Sequence, residues 1–388
     1  MKTQRTRGPG GERDRARWRR AALSLATSGM VALTAACAQP ATTPPTTSRR
    51  ATATTSPTAP TTRRASTTTR AGPPTPTAPA RTTTTYRDSG NPSWSLVTEP
   101  DDGLGPIYSL MSSARHSLDM TMYELSDPQT DSILEADAGR GVTVRVILDQ
   151  EYSGRDVNSA AYAALGSHGV QVHWAPAGTI FHQKTITVDD HTSAVMTLNL
   201  TSEYYSSTRD FAVITTDSAD VAAIEQVFGD DWTDSGAPAP GPTATNLLWS
   251  PGAQGPILAL INSAQHSLLI ENEEMDDYSI VDALEAAARR GVDVEVVMTY
   301  SSDWASAFGE LGAAGVKVRT YASDASLYIH AKVIVADAGT AFVGSQNFSV
   351  SSLEYNRELG IITSLPSLVQ PLDHTVSGDF AGATPYGG

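Results

Sequence analysis

The chain has 388 residues, 40% hydrophobic and 18% charged, with a single cysteine and a formal net charge of −15. That length accommodates two or three domains, and one cysteine excludes an internal disulfide framework or a zinc site built on several thiolates. Residues 1–85 carry +12 and residues 86–388 carry −27, a body that repels nucleic acid and strongly anionic membrane surfaces.

In chain order, residues 1–20 hold eight basic side chains, and the uncharged 16-residue run 21–36 leads into Leu33-Thr34-Ala35-Ala36-Cys37. A basic start, a short apolar run and a small-residue exit are the parts of a secretory signal; the run is short of the ~20 residues of a membrane span. Residues 1–36 are therefore expected to be a signal peptide. The only cysteine directly after Ala-Ala resembles a bacterial lipobox. It points to lipidation of Cys37 and an exported protein anchored on the outer face of the cell membrane. An ordinary cleaved signal and secretion is the other reading, and Arg19-Arg20 also permits twin-arginine export. Residues 41–85 contain 19 Thr and 8 Pro, so 37–85 is expected to be a disordered linker unable to bury enough apolar surface to order itself.

The remainder is written twice. Gly105-Pro106-Ile107, His116-Ser117-Leu118 and Arg140-Gly141-Val142 each recur 150 residues on, as Gly255-Pro256-Ile257, His266-Ser267-Leu268 and Arg290-Gly291-Val292. Further along, His182, Lys184, Asp189 and Asn199 recur 148 residues on as His330, Lys332, Asp337 and Asn347, and Asp210 meets Glu358 at the same offset. A fixed period of this kind means an internal duplication, with halves expected at 86–245 and 246–388. In the first half, helical patterns at 107–114, 132–138 and 160–165 alternate with strand patterns at 118–123, 142–148 and 170–174. The second half repeats them with helices at 257–264 and 280–288 and strands at 268–270, 292–298 and 316–318. Alternation predicts an α/β fold with a mostly parallel sheet flanked by helices. Closer strand patterns at 185–188, 194–197 and 211–214 add antiparallel pairing, so the sheet of each half is expected to be mixed.

His182-Gln183-Lys184 and His330-Ala331-Lys332 each open a β-branched run, and on a strand residues i and i+2 share one face. Each histidine is thus expected beside its lysine, with Asp189 and Asp337 off that face as orienting or structural carboxylates that do not touch substrate. His-x-Lys-x4-Asp, then Gly344-Ser345-Gln346-Asn347 and Glu358, resembles the signature of the phospholipase D superfamily. The first copy departs from it at Met196-Thr197-Leu198-Asn199 and at Asp210. The resemblance implies two similar α/β halves about a pseudo-twofold axis, with both motif sets meeting in one site of a monomer. Its candidate catalytic set is His182, Lys184, Asp189, Asn199, Asp210, His330, Lys332, Asp337, Asn347 and Glu358. It also implies His182 as nucleophile and His330 as general acid.

The residue types fit phosphodiester chemistry in their own right. Such a reaction needs a nucleophile, an acid for the leaving alkoxide and donors for the non-bridging oxygens. Two histidines can divide the first two tasks, forming a covalent phosphohistidine. The lysines and asparagines supply the donors, and Asp210 and Glu358 each hold an imidazole, in an order the sequence leaves open. No metal or other cofactor is expected. The −27 body disfavours a nuclease and favours a zwitterionic phospholipid substrate. The lack of an apolar span within the folded part disfavours an enzyme of the cardiolipin synthase kind. Hydrolysis of phospholipid head groups is the expected activity, with an exported metal-independent endonuclease or a phosphatidyl transferase as alternatives. Elsewhere, His116 and His266 read as capping or packing residues, and Asp276 and Asp277 as solvated loop acids. Tyr123-Glu124 and Glu273-Glu274, 150 residues apart at strand ends, are placed at the pocket mouth.

Overall fold

Two of the three repeated tripeptides mark the ends of helices, and the third, His116-Ser117-Leu118 with its copy, opens a strand. Pro106 and Pro128 stand in the first turns of the helices Gly105–Ser112 and Pro128–Gly139, where a missing N–H costs nothing. Asp127 and Asp277 cap Pro128–Gly139 and Tyr278–Arg289, accepting from Gln129 N and from Ser279 N and Ile280 N. Asp277 is therefore a buried cap and not the solvated loop acid expected of it. Arg140 and Arg290 close these helices, and the next residues, Gly141 (φ 94°) and Gly291 (φ 92°), turn the chain in the left-handed region that favours glycine. The Arg-Gly-Val repeat is thus a helix stop leading into a strand.

The computed structural model describes residues 93–152, 154–233, 241–243 and 245–387. The expected signal, Cys37 and the Thr/Pro-rich linker lie outside the described residues. In hydrogen-bonded order, the first sheet runs Trp94–Glu99, Thr208–Thr215, Thr192–Met196, Thr185–Val188, Ser117–Met122, Thr143–Leu148, Gln171–Trp174. The second runs Leu247–Ser250, Glu358–Thr363, Thr340–Gly344, Val333–Ala336, Ser267–Glu271, Asp293–Thr299, Lys317–Tyr321, and adds Thr384–Pro385. The shared strand order is the duplication made visible.

Only the last three strands of each shared order are parallel; the others pair antiparallel. The sheet is mixed, as expected, and within it antiparallel pairing outweighs the mostly parallel arrangement to which the helix–strand alternation pointed. The cause is local. Asp189-Asp190 (φ 55° and 54°) and Asp337-Ala338 (φ 52° and 48°) turn left-handed at two successive residues, the geometry of tight hairpins. The first strand of each sheet, absent from the expected elements, adds another antiparallel edge.

Each sheet has its own apolar core beneath its helices, built on residues such as Leu118, Val146 and Leu134 in one half and Leu268, Val296 and Leu284 in the other. A third core joins the halves: Val195, Phe211, Val213 and Ile224 of the first pack with Leu269, Val333, Val343 and Leu359 of the second. Leu368, Leu372, Val376 and Phe380 of the helix Pro366–Gly382 belong to it too. Two backbone crossings reinforce that seam. Tyr328–Ile329 pairs in parallel with Thr208 and Arg209, and Phe181 bridges to Arg357. Among the described residues no helix is long and apolar enough to cross a membrane.

Candidate active site

The crossings deliver each histidine to the other half. Arg357 N donates to Ile180 O (2.9 Å), which sets Phe181 and His182 beside the start of the strand Glu358–Thr363. Ala331 N donates to Arg209 O (2.9 Å), which sets His330 beside Asp210. As a result His182 Nδ1 donates to Glu358 Oε2 (2.9 Å) and His330 Nδ1 donates to Asp210 Oδ1 (2.8 Å). The carboxylate pairing that the sequence left open is therefore crossed between halves. With Nδ1 engaged, each ring presents Nε2 as its reactive nitrogen.

Both histidines are seated from behind as well. The residue before each donates its N–H to a side chain at the carboxyl end of a parallel strand: Phe181 N to Asp149 Oδ1 (2.7 Å) and Ile329 N to Thr299 Oγ1 (2.8 Å). The carboxylates are fixed in turn. Glu358 Oε1 accepts from Ser352 Oγ (2.5 Å) and Asn356 Nδ2 (3.0 Å), and Asp210 Oδ1 accepts from Thr197 Oγ1. Thr197 Oγ1 also accepts from Phe211 N (2.9 Å), as Ser345 Oγ accepts from Leu359 N (3.1 Å) in the other half. The departure of the first motif from Gly-Ser thus keeps its hydroxyl.

The His-x-Lys triplets precede the strands Thr185–Val188 and Val333–Ala336 and do not lie in them, a correction to the expected same-face strand geometry. Each lysine instead curls back so that its Nζ donates to its own histidine's carbonyl, Lys184 to His182 O (2.6 Å) and Lys332 to His330 O. Lys184 and Lys332 are fully buried. Asn199 and Asn347 are buried too, and among the described residues Asn199 Oδ1 and Asn347 Oδ1 find no donor, which leaves both amide oxygens with unused hydrogen-bonding capacity. Asn199 Nδ2 lies 3.4 Å from Glu124 Oε2.

Asp189 and Asp337 are not brought to this cleft. They follow the far ends of the strands that the lysines precede, where Asp189 accepts from the N–H groups of Arg115, His116 and Ser117. Asp337 does the same for Gln265, His266 and Ser267. They hold a helix-to-strand turn, and the backbones of His116 and His266 are their partners. Their place in the candidate catalytic set is corrected to a structural one.

The electrostatics of the His182 end follow from its burial. Burial, with Lys184 beside it, pushes the His182 imidazole down to about 4, against the pull of Glu358, so at neutral pH its Nε2 keeps a lone pair. Burial and Lys332 push Lys184 down to about 7, against Glu358, Glu124 and Glu273. Burial alone would raise Glu358, but His182, Lys184 and the Ser352 hydroxyl outweigh it and hold that carboxyl below its ordinary value. The sequence reading missed Asp149, Thr299, Thr197, Ser352 and Asn356. The internal repeat offers a signal for three of them, pairing Asp149 with Thr299 150 residues apart and Thr197 with Ser345 148 apart; Ser352 and Asn356 align with Tyr204 and Thr208 and carry no such signal.

Two lysines, two imidazoles with carboxylates behind them, and two amides around one cleft can hold an anionic phosphoryl group, attack it and protonate a leaving oxygen. A family model described as "Cardiolipin synthase, PLD-like domain" matches residues 107–232 and 257–379. Cardiolipin synthase A of Klebsiella pneumoniae is 25% identical over 319 residues, covering 69% of this chain and 65% of that protein. Cardiolipin synthase of Geobacillus thermodenitrificans is 25% identical over 341 residues, covering 75% and 66%. The chain thus spans just under two thirds of these relatives' own length. Phosphatidylserine synthase of Haemophilus influenzae superposes with a TM-score of 0.59 at 13% identity, covering 75% of this chain and 87% of that one, a likeness of fold. With the domain matched once in each half and the two motif sets meeting in one cleft, the chain belongs to the phospholipase D superfamily.

Proposed function

We propose that the protein transfers a phosphatidyl group between alcohols through a phosphohistidine on His182. The observation that carries this is the crossed pair of imidazole–carboxylate bonds, which leaves two Nε2 atoms with different charge surroundings to serve one phosphoryl group. In this reading His182 Nε2, a neutral lone pair, attacks phosphorus while His330 protonates the departing alcohol oxygen. Lys184, Lys332, Asn199 and Asn347 hold the non-bridging oxygens, and Glu358 and Asp210 act as positioning residues behind the rings. In the second step His330 takes the proton of an incoming hydroxyl, which displaces His182 from phosphorus. Donor bond broken and acceptor bond formed are both P–O, so a lipid acceptor costs no net bond energy, and water as acceptor gives hydrolysis.

The sequence reading preferred hydrolysis. The names of the similar proteins, two cardiolipin synthases and a phosphatidylserine synthase, support transfer better, and they weigh against setting a cardiolipin synthase-like activity aside. Export with lipidation of Cys37 would place such an enzyme beside its substrate. The test is to incubate the purified protein with phosphatidylcholine vesicles, EDTA and a short alcohol, and to identify the lipid products by mass spectrometry. Phosphatidyl alcohol as the main product supports transfer. Phosphatidic acid alone at every alcohol concentration makes the protein a hydrolase, and no lipid product overturns the reading.

A further inference from the structure

The two ends of the cleft differ at one duplicated position. Tyr123 and Glu273 are 150 residues apart, each just past a central strand, Ser117–Met122 or Ser267–Glu271. The Tyr123 ring lies edge-on to His182, centroids 4.6 Å apart, and Lys184 Nζ stands 4.9 Å from its centre. Glu273 instead brings a carboxylate to the other end. Its Oε2 is 3.0 Å from Lys332 Nζ and 3.6 Å from His330 Nε2, and its Oε1 accepts from the Tyr328 hydroxyl (3.3 Å).

We propose that Glu273, with Tyr328, forms the alcohol-binding end of the cleft and selects an alcohol that carries a cationic ammonium, an amino-alcohol head group, over an anionic one. The proposal rests on the phosphatidyl-transfer reading, in which His330 protonates the leaving oxygen. The carbons and charge of the leaving alcohol then lie against His330 Nε2, which is where Glu273 stands. By reversibility an incoming alcohol occupies the same place. Burial would raise the Glu273 carboxyl, but Lys332, His330 and His182 outweigh it and hold it at about 2, so it is ionised throughout the working range.

The consequence is electrostatic. A phosphodiester seated on Lys332 puts a second anion beside a lysine that Glu273 already shares. In a water-poor cleft like charges this close repel strongly. An ammonium next to the alcohol oxygen relieves that repulsion by pairing with Glu273, whereas a phosphate or carboxylate there adds to it. The first half has a tyrosine at this position, and its nearby carboxylate, Glu124, stands against Asn199, so the discrimination at this position belongs to the alcohol end.

The test uses the full chain and mixed vesicles of phosphatidylethanolamine and phosphatidylglycerol with matched acyl chains, reading the ratio of kcat/KM for the two as phosphatidyl donors. The wild type should prefer the ethanolamine lipid by about tenfold or more, and Glu273→Gln should bring the ratio near unity. Tyr328→Phe should move it the same way by a smaller factor. Free ethanolamine and free glycerol, offered as competing acceptors, should show the same order. A wild-type ratio near one or favouring phosphatidylglycerol, or a ratio unchanged in Glu273→Gln, overturns the inference while the transfer reading stands. Absence of turnover on both lipids, with no phosphoenzyme from a soluble p-nitrophenyl diester, overturns both together.

Discussion

The two histidines are copies of one ancestral residue, and their surroundings have diverged in opposite directions. His182 leans on a glutamate held by Ser352 and Asn356 and faces an aromatic ring; His330 leans on an aspartate held by Thr197 and faces a carboxylate. The first setting suits a neutral nucleophile. The second, with a carboxylate on each side of the ring, suits a proton donor. A duplication supplies two equal half-sites, and a few substitutions at matched positions are enough to give them unequal tasks.

The comparison breaks most visibly when either histidine is removed. His182→Ala should lower turnover of a phospholipid at least about 10⁴-fold, since it removes the nitrogen that forms the phosphohistidine. His330→Ala should be as damaged on an alkyl diester but should retain measurable reaction with a p-nitrophenyl diester, whose leaving group needs little protonation. Steady-state rates on the two substrates check this. The carboxylates sharpen it. Glu358→Gln should cost about 10³-fold on both substrates, and Asp210→Asn a similar factor on the alkyl diester and clearly less on the p-nitrophenyl one. Equal losses in all four combinations would make the two ends equivalent.

The pH profile gives a smaller signal. Lys184 must be charged to hold the phosphoryl group, and its ammonium is held down to about 7. On that account kcat/KM falls as pH rises through that value. A bound diester anion favours the charged lysine, so the alkaline limb of kcat should lie at higher pH than that of kcat/KM. Coincident limbs would remove Lys184 from phosphoryl binding. Smallest is a packing difference. A Cβ on Gly344 would come within 2.4 Å of Gly360 Cα, whereas the matched pair in the first half is Met196 and Ala212. Gly344→Ala should therefore destabilise the fold by about 1–3 kcal/mol, read by thermal melting.

What the sequence could disclose followed from chemistry written as short spacings. His-x-Lys, the aspartate five residues on, the later asparagine and the later acid repeat at one offset, and that placed ten residues in register before any fold was known. Which acid serves which histidine was not readable, because the partners are 176 and 120 residues apart and no local pattern encodes a crossing between halves. Asp189 and Asp337 entered the candidate set through the motif alone; their spacing puts them one strand length from the lysines, at the other edge of the sheet. The predominance of antiparallel pairing was hidden for a related reason. Periodicity finds strands, but pairing depends on the turns, and Asp189-Asp190 and Asp337-Ala338 were not recognised as hairpin tips. Asp277 looked like a solvated acid because its capping role depends on the helix start that it helps to define.

The central claim, that the two imidazoles share one phosphoryl group with His182 as nucleophile, is tested most directly by trapping the phosphoenzyme. Rapid quench from a p-nitrophenyl diester, followed by peptide mapping, should place the phosphoryl group on His182 in the wild type and in His330→Ala, and on no residue in His182→Ala. Phosphate found on His330, or trapped in His182→Ala but not in His330→Ala, would contradict the account and reverse the two roles.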